Sequence, residues 1–175
     1  ENPNSKNFQL LNELLSKNIV MKKLDEKGYR IFNVGSLWGP NGEFEKTDVN
    51  KCEYKEANRD SLVRELLETS MISYFHERYS EQLRRDRILC SFEEIEKINQ
   101  ESMMPNFVFV HMLLPHPPYI FGPNGEHMTP GNSSSGVDWN EREAHIDQVK
   151  FANKKLMESI PELLNSKNKP IIILQ

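Results

Sequence analysis

Apolar residues recur at helical spacing near the start of the chain: Leu10, Leu11, Leu14 and Leu15, then Val20, Met21 and Leu24, with Gly28 placed to stop the run. Two short helices and a glycine stop are predicted. Tyr29 to Gly35 follows as a β-rich run that enters the turn-prone stretch 35–42. A polar loop over 43–56 leads to Asn58-Arg59-Asp60-Ser61, suited to capping a helix with Leu62, Val63, Leu66, Leu67, Met71, Ile72 and Phe75 on one broad face. The mixed-sign stretch 77–86 reads as a solvated helical surface, and Ser91 as the start of a second helical segment with Phe92, Ile95 and Ile98 at offsets of three.

After Pro105 the composition changes abruptly. Residues 106–114 are nearly all apolar and too few for a typical helix, the pattern of a strand buried on both faces, and prolines at 115, 117 and 118 end it. The Gly, Asn and Ser stretch 122–136 reads as an exposed loop. Ile146, Val149, Phe151, Ala152, Leu156 and Ile160 mark an amphipathic helix, and Ile171 to Leu174 a third buried strand. The alternation predicts an α/β fold: a mostly parallel sheet, with strands near Ile31, Phe109 and Ile172 and helices on both faces. Residues 1–175 are expected to form a single domain. Because the chain stops inside an apparent strand, it is expected to be a segment of a larger catalytic or binding domain.

Composition narrows the partners. Lys plus Arg number 22 against 26 Asp plus Glu, a formal charge of −4, which argues against nucleic acid and against a polybasic membrane-surface module. No apolar run approaches the roughly 18 residues of a membrane span, so the chain as given is expected to be soluble. Cys52 and Cys90 are too few for a disulfide scaffold and too far apart for a zinc knuckle; unpaired buried thiols are the default reading, with a single bridge as the alternative.

Ligands of parallel α/β sheets bind beyond the carboxyl ends of the strands, which places Gly35-Ser36-Leu37-Trp38 and Leu114-Pro115-His116-Pro117-Pro118-Tyr119 at the expected site. His116, fixed between prolines, suits donation to an oxyanion, and equally suits a turn in which its ring bonds a nearby carbonyl. His111 and His116 could share a metal only if Pro115 reverses the chain, since an odd offset along a strand points side chains to opposite faces. His111 therefore reads as a core or near-core residue, and His76, His127 and His145 as surface residues. Trp38 either covers a pocket or caps the core. Neither a P-loop nor a Gly-x-Ser-x-Gly elbow is present, and Ser36 has no evident base.

Residues 107–119, Phe-Val-Phe-Val-His-Met-Leu-Leu-Pro-His-Pro-Pro-Tyr, resemble a stretch of the sulfatase-like hydrolases and transferases of the alkaline phosphatase superfamily, including phosphoglycerol transferases of the lipoteichoic acid synthase type. Gly28 to Ser36 with Trp38, Gln148 to Leu156, and Ile171 to Gln175 resemble, more weakly, other parts of the same domain. The resemblance implies a partial alkaline-phosphatase-like sandwich and an extracytoplasmic, metal-dependent transfer of a phosphoryl or sulfuryl group. It places the nucleophile before Glu1 and an Asp-His-Gly metal signature after Gln175, so that this chain carries no catalytic nucleophile and no metal ligand and is inactive alone. His116 is then a substrate contact, with Trp38 and His111 in the pocket wall or its support. A divalent ion (Mn, Mg, Zn or Ca) is expected only in the whole enzyme. The substrate is a phosphate or sulfate ester, lipid- or glycan-linked in some relatives, and any membrane tether lies upstream. The rival expectation is a non-catalytic extracellular binding module that keeps the fold; a small complete α/β protein with an accidental motif is a third.

Overall fold

The computed structural model describes residues 17–35, 44, 46–52, 66, 69–101, 104–128 and 141–175. Three helices and three strands order as α1 (Ile19–Glu26), β1 (Arg30–Gly35), β2 (Val49–Lys51), α2 (Ser73–Glu101), β3 (Asn106–His111) and α3 (Arg142–Leu164). The strands form one sheet of order β2-β1-β3, and both pairings are parallel. Ile171 to Leu174, by contrast, form no strand: Ile171, Ile173 and Leu174 are exposed. An apolar run becomes a strand only where a neighbouring edge takes up its backbone groups, and no such ladder forms for these residues.

Local chemistry accounts for the first unit. The Asn18 side chain accepts from the Val20 and Met21 amides at 2.9 and 3.4 Å and starts α1. At its far end the Gly28 amide donates to the Asp25 carbonyl and the Tyr29 amide to the Leu24 carbonyl, with Gly28 at φ +78°. That is the two-bond termination a left-handed residue permits, and it turns the chain directly into β1.

The two faces of β1 alternate in what they meet. Ile31, with Phe107 and Phe109 of β3, packs against Met21 and Leu24 of α1 and against Phe44, whose ring meets Phe109 edge-on at 5.3 Å. Phe32 and Val34, with Val108 and Val110, pack against Ile98 of α2. Helices thus cover both faces of the described sheet. β3 is half-buried along its length, not buried on both faces, because it lies at the edge while β1 takes the centre.

β2 falls within the stretch read as a polar loop. Polar contacts define it more than apolar content does: Asp48 accepts from the Ile31 amide through its carboxylate at 2.6 Å, and Asn33 donates to Asn50 across the pair at 3.1 Å. Its end is fastened to α2. Lys51 pairs with Glu94 at 2.9 Å, a contact that holds the Glu94 carboxyl below its ordinary value, and Cys52 is disulfide-bonded to Cys90. The two thiols are therefore bridged, not unpaired, because α2 crosses beside the end of β2 and brings the two α-carbons to 5.8 Å.

α2 is one continuous helix. Ser91, read as a helix start, is wholly buried in mid-helix, its hydroxyl donating to the Arg87 carbonyl one turn back. Of the face predicted over 62–75, Leu66, Met71, Ile72 and Phe75 stand exposed, and Leu62, Val63 and Leu67 lie outside the described residues. A third apolar cluster joins Ile88 and Phe92 of α2 to Ile120 and Phe121 of the segment after β3 and to Phe151 of α3. Among the described residues no helix is long and apolar enough to cross a membrane.

Two glycines separate two kinds of constraint. A Cβ at Gly28 would meet nothing, so Gly28→Ala is expected to cost only the left-handed conformation, about 1–2 kcal/mol. At Gly35, φ is +117° and a Cβ would press into the His111 carbonyl, so Gly35→Ala is expected to cost more than about 3 kcal/mol. Urea unfolding of both variants checks the order.

The disulfide closes a loop of sequence separation 38, a span whose closure is worth about 4 kcal/mol through the unfolded chain. Urea unfolding of the Cys52→Ser/Cys90→Ser variant is expected to show a loss of that order. A loss below about 1 kcal/mol would mean that the bridge does not form in solution.

Candidate functional site

β1 and β3 run in register from Arg30↔Asn106 to Gly35↔His111, so both strands end on the same rim. Only glycine at position 35 allows the two backbones to approach there, and Ser91 of α2 packs beneath that point. Gly35 and His111 therefore end their strands side by side. Ser36 and Trp38 lie outside the described residues; His111 and His116 are described.

Past His111 the chain runs through Met112 to Leu114, bends over 115–118 and dives back into the core. The bends include cis peptide bonds at Leu114-Pro115 and Pro117-Pro118. His116 is exposed at the turn, whereas Tyr119, Ile120 and Phe121 are buried. The His116 Nδ1 lies 2.6 Å from the Pro117 carbonyl oxygen. A carbonyl only accepts, so Nδ1 carries the proton, and this is the nearby-carbonyl bond of the turn reading. The bond leaves Nε2 as the other ring nitrogen, on the opposite edge of the imidazole.

Two buried polar side chains hold this segment, and neither was among the residues expected to matter. Gln148 of α3, with no exposed surface, accepts at Oε1 from the Ile120 and Phe121 amides, 2.9 and 3.3 Å. Its Nε2 donates to the His116 carbonyl at 3.0 Å and to that of Pro118 at 3.5 Å. Arg85 of α2 donates to the carbonyls of Ile120, Gly125 and Glu126. Its guanidinium lies 4.3 Å over the Phe121 ring, which stacks on Phe151 at 4.3 Å as well. Phe121 is thus sandwiched between a cation and an aromatic face.

Arg85 belongs to the stretch read as solvated surface, yet only 9% of it is exposed, and burial pulls its pKa down from the ordinary value. Its neighbour Glu81 lies 3.5 Å from the His127 ring, so His127 has an acidic partner. Gln148 left a trace in the sequence: it stands three residues before Phe151, in phase with the apolar stripe of α3, where a polar residue must find buried partners. Arg85 left none, because nothing near it in sequence points to residues 120–126.

Among the described residues no three His, Cys, Asp or Glu side chains gather as a metal site. Among the described residues, His111 and His116 are joined by no third side chain of that kind. A shallow depression of about 290 Å³, lined by Asp25, Gly28, Tyr29, Arg30, Asp48 and Met104, lies at the opposite rim, where β1 begins, away from His116. Comparison with known proteins returned no matching family model and no significantly similar curated protein or solved structure.

Burial depresses the His111 pKa from its ordinary 6.5. The unfolded chain then takes up the proton more readily than the folded one, so stability present above pH 6.5 is lost as pH falls through the interval between the two values. Melting temperatures between about pH 7.5 and pH 5.5 are expected to fall more steeply for the wild type than for His111→Gln, whose amide does not titrate. Parallel slopes would show that His111 is as well solvated folded as unfolded.

Proposed function

We propose that this chain is the central part of an extracytoplasmic enzyme that transfers a phosphoryl or sulfuryl group from an ester. His116 meets the oxygens of the transferring group. The observation that carries the reading is the held turn at the carboxyl rim of the sheet: an exposed imidazole on a segment whose backbone is fixed to two helices by buried hydrogen bonds. A donor already in place stabilises developing charge without reorganising first. With Nδ1 engaged by the Pro117 carbonyl, donation to an anionic group falls to an Nε2–H.

The disulfide supports the location, since such bridges persist in oxidising compartments and are rare in the reducing cytosol. The resemblance of residues 107–119 to sulfatase-like enzymes supports the substrate class. By that resemblance a divalent metal and the nucleophile belong to sequence on either side of the chain. The part of the described residues is to bind and orient the ester.

In the gene product that contains this chain, His116→Ala is expected to lower turnover of a phosphate or sulfate ester by roughly 10²–10³-fold, the scale of one lost oxyanion donor, with melting unchanged. Normal turnover per folded molecule would make His116 a turn residue alone. Absence of turnover in the wild type, with retained affinity for the ester, would favour the non-catalytic binding module.

A further inference from the structure

We propose that Gln148 is the positioning residue for His116, a role that rests on the reading of His116 given above. A glutamine side chain has one oxygen able to accept twice and one nitrogen able to donate twice. Gln148 directs all four capacities at a single short segment. The oxygen takes the amides of Ile120 and Phe121, and the nitrogen serves the carbonyls of His116 and Pro118. The histidine's own backbone is therefore one of the four groups held.

The clamp is stiff because its base is stiff. Gln148 projects from the second turn of the 23-residue α3 and is completely buried, and Phe151, one turn on, stacks against Phe121. Displacing the His116 turn would strand buried donors and acceptors together, which is costly for each group left unmade. No other residue type of this size offers two donated and two accepted hydrogen bonds at once. Glutamate accepts but, ionised, repels the two carbonyls; methionine fills the space and bonds neither side.

That asymmetry makes the test. In the oxidised chain, Gln148→Met is expected to speed hydrogen exchange of the Ile120 and Phe121 amides by about 10- to 100-fold and to shift the His116 imidazole ¹⁵N resonances. Gln148→Glu is expected to keep both amides protected while still shifting the His116 resonances, because only the donating half is lost. Ser159→Ala serves as the control for simple destabilisation: it removes a different buried bond of α3, from Ser159 to Glu96 at 2.7 Å, and is expected to leave His116 unmoved. Val34 methyl resonances report whether the sheet remains folded in each variant. Unchanged His116 resonances in Gln148→Glu, with the sheet intact, would overturn the proposal.

Turnover of a nitrophenyl phosphate or sulfate by the containing gene product then separates the two claims. If Gln148 acts through His116, adding Gln148→Met to His116→Ala lowers kcat no further, and multiplying losses would overturn the positioning role. If His116→Ala leaves turnover intact while the resonance and exchange results hold, the clamp stands and the catalytic reading of His116 falls.

Discussion

The approach of two backbones at one end of the sheet governs the arrangement of everything else. Gly35 and His111 close the ladder between β1 and β3, and the space between them admits no side chain at position 35. Because the strands are parallel and in register to their last residues, β1 and β3 end on one rim. A slip of β3 by one residue would turn its faces over, taking Phe107 and Phe109 from the α1 side and Val108 and Val110 from the α2 side. The close contact thus fixes register, and register decides both the core and the place where the His116 segment begins.

α2 is the wall on which the remaining parts meet. Along its 29 residues it offers Arg85 to the returning segment, Ile88 and Phe92 to α3, Cys90 and Glu94 to the end of β2, and Ile98 to the sheet. These residues point in several directions round the helix, since each partner lies on a different side. A covalent bridge and an ion pair fasten the end of the three-residue β2 to α2, beside the ladder and polar contacts that join it to β1. Glu96 extends the same wall to Ser159 of α3. The segment carrying His116 lies between two helices that are themselves joined, and its turn moves only if those contacts yield.

Polar burial at this site has a specific logic. Arg85 and Gln148 are costly to desolvate, and each recovers that cost only through several bonds to one short run of backbone. Among the described residues, the backbone of 116–126 makes a few local bonds of its own, such as Gly122 N–H to the Glu126 carbonyl, and side chains serve the His116, Pro118 and Gly125 carbonyls and the Ile120 and Phe121 amides. Apolar residues at 85 and 148 would fill the space and remove these side-chain partners from the Gly125, His116 and Pro118 carbonyls and from the Ile120 and Phe121 amides. The arrangement trades some packing for a defined geometry, which is what a turn that presents an imidazole requires.

The patterns legible in the chain were those set by neighbours close in sequence. The Gly28 termination, the β1 run, the β3 run after Pro105 and the stripe of α3 all follow from spacing and turn chemistry, and the βαβ alternation was enough for a parallel sheet with helices on both faces. β2 was hidden because its pairing depends on Asp48 and Asn50 meeting β1, not on a hydrophobic run of its own. α2 was read in pieces because a helix with partners on several sides shows no single stripe. Ile171 to Leu174 show the converse: apolar character that no described strand pairs with. Of the site, the prolines flanking His116 were visible in sequence, whereas the disulfide and the hold of Arg85 and Gln148 were decided by tertiary structure. Those bonds join groups some thirty to forty residues apart, and only the folded arrangement of α2, α3 and the sheet brings them within reach.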